Sequence, residues 1–87
     1  MKIEFDSHKA ALNLKKHDVS FTEAASCLLD AMALVREDKD VEGENRWVLL
    51  GMSDQARLLL VVYTVRGESI RIISARKPTT REVSYYG

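Results

Sequence analysis

The sequence predicts an α+β fold for a single domain of 87 residues, with the element order β-α-α-β-β-β-β-α. Three observations lead there. Val, Leu and Ile concentrate in three runs between Arg46 and Lys77, split by the turn segments Ser53-Asp54-Gln55-Ala56 and Arg66-Gly67-Glu68-Ser69, as strands packed on at least one face require. Helix-capping residues precede short helical patterns in the first third of the chain. Strands joined by such short turns run antiparallel. The expectation is therefore a twisted antiparallel sheet with two helices on one face, and an opposite face at least partly open to a ligand or partner.

Lys2 to Phe5 forms the first strand. Asp6 then opens a helix, since its carboxylate can accept from free amides of the first turn. Ala10, Ala11 and Leu14 give that helix its apolar stripe, and Lys15, Lys16 and His17 favour its C-terminus. Ser20-Phe21-Thr22-Glu23 has the form of a capping box, flanked by Val19 and Ala24 as a hydrophobic staple. The second helix is expected to run to about Leu29 with Phe21, Ala24, Ala25 and Leu28 inward. Met32, Leu34 and Arg36 alternate with Ala33 and Val35, which suits a strand. Glu37 to Asn45 reads as a solvated acidic loop. Strands follow at Arg46–Met52, Arg57–Arg66 and Ser69–Lys77, with Gly67 tolerating positive φ in the hairpin. Pro78 ends strand pairing because it lacks an amide hydrogen. Thr79-Thr80-Arg81-Glu82 is a second capping box, opening a helix of about two turns through Tyr86.

Formal charge is zero, which argues against a strong nonspecific nucleic-acid binder, yet it is polarised. Residues 20–47 carry net −4 and residues 57–87 net +4, so one face can steer an anion. Cys27 is the sole cysteine. It permits no intramolecular disulfide and no cysteine-based zinc site. No signal peptide and no apolar run near 18 residues is evident, so a cytoplasmic protein without a membrane span is expected. His8 and His17 are not at ligand spacing, and the acidic loop lacks a calcium-site pattern; neither a metal nor a cofactor is expected.

The residues Phe5-Asp6, Lys9, Asn13, Lys16-His17, Val19-Ser20-Phe21 and Ala24 begin a pattern. It continues through Gly43-Glu44-Arg46, Gly51, Tyr63-Thr64 and Arg66-Gly67, and ends with Arg71-Ile72-Ile73-Ser74-Ala75-Arg76-Lys77, Glu82 and Tyr86. Together these resemble the BrnT toxins of type II toxin–antitoxin systems, relatives of the RelE-type ribonucleases. The resemblance implies a compact RelE-like fold and ribonuclease activity that blocks translation. It also implies neutralisation by a cognate BrnA-like antitoxin that binds operator DNA, with a toxin dimer inside a heterotetramer. Three positions depart from the family pattern: Asp18 replaces a usual Gly, Phe5 a usual Trp or Tyr, and Val83 a usual Arg.

Metal-free RNA cleavage needs a base for the 2′-hydroxyl, cations for the phosphorane and an acid for the leaving 5′-oxygen, and preorganised charge is usually the largest of these contributions. Beside the resemblance, the residue chemistry selects Arg66 and Arg76 as the cations, Glu82 as base, and Tyr86 as proton donor or stacking ring. Glu82 has a competing reading as a capping residue, and Tyr86 as a packing residue. Lys9, His17, Arg46, Arg71, Lys77 and Arg81 are the expected RNA-binding residues. Arg66 and Arg76 stand roughly 23 Å apart along a regular hairpin, so Arg71 groups with Arg66, and Arg76 and Lys77 with Glu82 and Tyr86. Two other readings are a catalytically weak antitoxin-binding co-repressor and a nonspecific nucleic-acid binder.

Overall fold

The computed structural model describes residues 2–38 and 45–86. The expected order is present: β1 (Lys2–Glu4), α1 (Ser7–His17), α2 (Phe21–Cys27), β2 (Leu34–Asp38), β3 (Arg46–Met52), β4 (Leu58–Arg66), β5 (Ser69–Arg76) and α3 (Thr80–Val83). The strands form one five-stranded sheet in the order β1-β5-β4-β3-β2. β2 to β5 pair antiparallel, whereas β1 runs parallel to β5. The sheet is thus mixed rather than wholly antiparallel. β1 is followed by the two helices rather than by a tight turn, and β2, β3 and β4 also intervene before β5, so the short-turn argument does not constrain its direction. The expected loop at 37–45 begins later, because Glu37 and Asp38 still pair with Trp47 and Arg46. Residues 39–44 of that loop lie outside the described residues.

Helix ends follow local chemistry. Asp6 accepts from the His8 amide at 2.8 Å. Asp18 ends α1 in the left-handed conformation at φ 58°, its amide donating to the Leu14 carbonyl, at the position where the family pattern usually has Gly. Asp tolerates that conformation better than most residues. α2 stops at Cys27, with a turn through Leu29. α3 is one turn long and does not reach Tyr86. Gly67 takes positive φ in the Arg66–Ser69 turn, as the hairpin demands.

The core lies between the sheet and α1 and α2. Phe21, Ala24, Cys27, Leu49, Leu59, Val61, Ile72 and Ala75 are buried there, and burial pushes the Cys27 thiol up to about 11. The Phe5 ring stands edge-on to Phe21 at 5.4 Å.

Two expectations about the helices fail for one reason: polar side chains win buried sites by making several bonds. In α1, Ala11 and Leu14 are exposed and the buried residue is Asn13. Its side-chain amide donates to the Val19 and Ala75 carbonyls at 2.9 and 2.8 Å, and its oxygen accepts from the Ala75 amide at 3.1 Å. This side chain acts as a local strand partner and fastens α1 to β5. At Ser20 only half of the capping box forms. The Glu23 amide donates to Ser20 Oγ, but the Glu23 carboxylate turns inward. It accepts from Arg57 Nε at 2.9 Å, from a terminal Arg57 nitrogen, and from Ser53 Oγ at 2.7 Å. A guanidinium fork offers more to a buried carboxylate than an exposed amide does.

Candidate nucleic-acid interface

Strand register assigns each strand residue to a face. Leu59, Val61 and Tyr63 of β4 pack toward the helices, so Leu58, Leu60, Val62, Thr64 and Arg66 alternate onto the opposite, open face. Their partners complete three transverse rows. One row reads Leu34, Leu50, Leu60, Arg76; the next Arg36, Val48, Val62, Ser74; the third Asp38, Arg46, Thr64, Arg71, Glu4. Arg66 and Ser69 pair one position pair further on, at the hairpin.

The presence of both Arg71 and Arg76 on this face depends on an irregularity. Five residues apart, they would point to opposite faces of a regular strand. Tyr63 pairs with Ile72 and Val62 with Ser74, so Ile73 is the extra residue of a β-bulge. The bulge resets the alternation, leaving Ile72 and Ala75 in the core and Arg71 and Arg76 outside. Four predicted site arginines, Arg46, Arg66, Arg71 and Arg76, therefore share one face. Arg66 and Arg76 still lie at opposite ends of it: Arg76 pairs with Leu60, six residues from Arg66 along β4, or roughly 20 Å.

At the hairpin end, Arg46 and Arg71 flank Thr64, two strand spacings apart or roughly 10 Å. Thr64 is buried and donates its hydroxyl to the Asn45 carbonyl at 2.8 Å. Arg71 lies 3.6 Å from Glu4 across the β1 edge. The Nε of Arg46 is buried without a hydrogen-bond partner among the described residues.

At the other end Arg76 binds Glu82 in a two-bond fork of 2.8 and 2.9 Å. Glu82 also accepts from the Thr79 amide at 2.8 Å, completing the predicted second capping box. The Arg76 guanidinium foremost, and that amide next, hold the Glu82 carboxyl down to about 2. Glu82 thus completes the cap while facing Arg76, and a carboxyl so stabilised in its charged form is a weak proton acceptor. The geometry makes it the clamp that orients Arg76.

Tyr86 does not stand free either. Its hydroxyl donates to Asp30 Oδ2 at 2.5 Å, and this bond raises its pKa. Asp30 also accepts from the Met32 and Met52 amides at 2.9 and 2.8 Å. Tyr86 thereby pins the chain end across the β3 terminus while its ring packs near Leu50 and Leu60. A tyrosine stabilised as a donor to a carboxylate is poorly placed to give up its proton.

Lys77, one residue beyond Arg76, is electrostatically coupled to Glu23, which is buried on the helix side. Lys9 and His17 lie on α1, in the helical layer behind the sheet. Arg81 is exposed on α3 and donates from Nε to the Tyr85 hydroxyl at 3.2 Å.

Two residues of the face escaped the sequence reading as site candidates: Arg36 and Tyr85. Their signals were present. Alternation from Leu34 puts Arg36 on the Leu34 face, and Arg81 and Tyr85 have the i, i+4 spacing that makes helical neighbours. Among the described residues, no group of three or more His, Cys, Asp or Glu side chains could hold a metal ion. No helix among them is long and apolar enough to cross a membrane.

The sheet face of this α+β domain carries Arg46, Arg66, Arg71 and Arg76, and guanidinium groups match the geometry of phosphate oxygens. The model of a family described as the ribonuclease toxin, BrnT, of type II toxin–antitoxin systems matches residues 5–82. The chain belongs to this family of ribonuclease toxins, and a toxin of such a system has an antitoxin partner. Its fold is similar to the crystal structure of the Brucella abortus ribonuclease toxin BrnT, with TM-score 0.69 and 24% identity, over 92% of this chain and 99% of that one. No curated protein matches the sequence.

Proposed function

We propose that the open sheet face binds RNA and cleaves it without a metal, arresting translation. A cognate BrnA-like antitoxin neutralises it within a heterotetramer that carries a toxin dimer and binds operator DNA through the antitoxin. The observation that carries the RNA reading is the gathering of Arg46, Arg66, Arg71 and Arg76 on one face by the register and the bulge at Ile73. Arginines spread over roughly 20 Å suit a strand of several nucleotides better than one isolated phosphate.

In this reading the 2′-oxygen bonds to phosphorus and the bond to the 5′-oxygen breaks. Water takes the proton of the 2′-hydroxyl, and water returns one to the departing 5′-oxygen. Arg76, oriented by Glu82, faces the charge that develops on the phosphorane; removing one such donor costs on the order of 100- to 1,000-fold in rate. Arg46, Arg66 and Arg71 hold the flanking backbone.

The test is expression of the chain alone in bacteria beside Arg76→Ala and Arg46→Ala/Arg71→Ala variants, measuring growth and RNA integrity. The wild type should arrest growth with fragmented RNA, and both variants should relieve it. Equal growth with intact RNA in all three would sink the proposal. The mutual neutralisation of Arg76 and Glu82 favours a second reading, a catalytically weak co-repressor. It requires intact RNA together with antitoxin-dependent repression of the operator.

A further inference from the structure

A groove of about 400 Å³ opens on the sheet face between β2, β3, β4 and the C-terminal segment. Val48, Leu50 and Leu60 form its floor, and Leu34 and the Tyr85 ring flank it. Arg36 and Glu82 supply its polar groups. Glu82 clamps Arg76, so the apolar floor ends at the guanidinium assigned to the phosphorane. Tyr85 is 59% exposed, and its hydroxyl accepts from Arg81 Nε at 3.2 Å.

The size and chemistry of the groove select its occupant. The volume sits at the small end of ligand sites, roughly 300–1,000 Å³. Two turns of a partner helix, about 10–12 Å across, displace on the order of 1,000 Å³. A flat apolar group carrying a polar edge, joined to an anion, fits better. A nucleobase attached to its phosphate has that form: the base lies on the leucine floor against Tyr85 and the phosphate meets Arg76. Arg36 brings hydrogen-bond donors only, and a guanidinium fork matches the paired acceptors O6 and N7 of guanine.

We propose that this groove is a nucleobase subsite beside the reacting phosphate, with Tyr85 as its stacking residue and Arg36 selecting guanine. The proposal rests on the RNA-cleaving reading above and adds a base preference to it.

Methyl-labelled protein, titrated with guanosine, adenosine and cytidine 3′-monophosphates and with ribose 5-phosphate, tests it. Guanosine monophosphate should shift the Leu34, Leu50 and Leu60 methyl signals and bind roughly tenfold tighter than the cytidine nucleotide. Ribose phosphate should leave those methyls unmoved. Tyr85→Ala should weaken nucleotide binding roughly 5- to 150-fold, Tyr85→Phe should retain it, and Arg36→Gln should erase the guanine preference. Because Tyr85 is mostly exposed, the Ala variant keeps its core, which an unchanged methyl spectrum checks. Methyl signals indifferent to every nucleotide, or Tyr85→Ala binding like the wild type, would overturn the subsite. So would loss of antitoxin capture by Tyr85→Ala with nucleotide binding intact, which assigns the groove to the protein partner. The two readings fail separately. A wild type that cuts RNA while its methyls ignore nucleotides keeps the activity and loses the subsite; one that binds guanosine monophosphate without cutting RNA does the reverse.

Discussion

Glu82 joins the stability of the C-terminal segment to the geometry of the site, so its replacement by Gln is the most revealing perturbation. The carboxylate accepts two bonds from Arg76 and one from the Thr79 amide. Folding holds its pKa from 4.5 down to about 2, which at 1.36 kcal/mol per pH unit sets a ceiling of about 3.4 kcal/mol. The Arg76 side chain is 38% exposed and Glu82 24%, so solvent screening reduces the expected loss in Glu82→Gln to about 1–2 kcal/mol. The sign follows from linkage. A depressed folded-state pKa stabilises fully above the unfolded value near 4.5, and the benefit disappears as pH falls toward 2. Urea denaturation at pH 7, 4 and 2.5 should therefore show the variant weaker at pH 7 and nearly equal to the wild type at pH 2.5. A deficit that is absent at pH 7, or unchanged at pH 2.5, would refute the clamp. In RNA cleavage, Glu82→Gln should lower the rate less than Arg76→Ala, because the amide can still hold one side of the guanidinium. A larger loss in Glu82→Gln would restore the carboxylate as the base.

Two further changes probe the frame behind the site. Glu23→Gln leaves the Arg57 fork without its anion in a mostly buried setting. Loss of one partner of a buried pair costs about 3–5 kcal/mol, and the partial exposure of Arg57 lowers the expectation to about 2–3 kcal/mol, read from thermal or urea melts. A loss under 0.5 kcal/mol would contradict it. Gly51→Ala places a Cβ 3.1 Å from the Cys27 carbonyl oxygen and 2.9 Å from a Leu49 methyl. The methyl can move but the carbonyl belongs to the end of α2, so about 1–2 kcal/mol of destabilisation is expected, and an unchanged melting temperature would rule out this close approach.

The sequence by itself determined the elements and most of their ends. The Asp6 and Thr79 caps, the Gly67 turn and the runs of Val, Leu and Ile act over a few residues, and each is realised where local chemistry placed it. The hairpin alone grouped Arg71 with Arg66, and the pairing of Arg66 with Ser69 and Arg71 with Thr64 realises it. Contacts between distant residues decided the rest. Asn13 took the buried place expected of Ala11 and Leu14, because Ala75 of β5 offered it two bonds and the Val19 carbonyl a third. Glu23 left its cap because Arg57, 34 residues on, offered a charge. Tyr86 found an anchoring bond at Asp30, 56 residues earlier, which no local pattern signals.

The site itself shows the same division. The sequence supplies arginines at 66, 71 and 76, and strict alternation along β5 would turn Arg71 and Arg76 apart. Pairing with β4 expels Ile73 as a bulge so that Ile72 and Ala75 can both enter the core, and that packing carries both guanidinium groups onto one face. Which residues are cationic is written in the chain. That they face one ligand together is decided by the burial of their apolar neighbours.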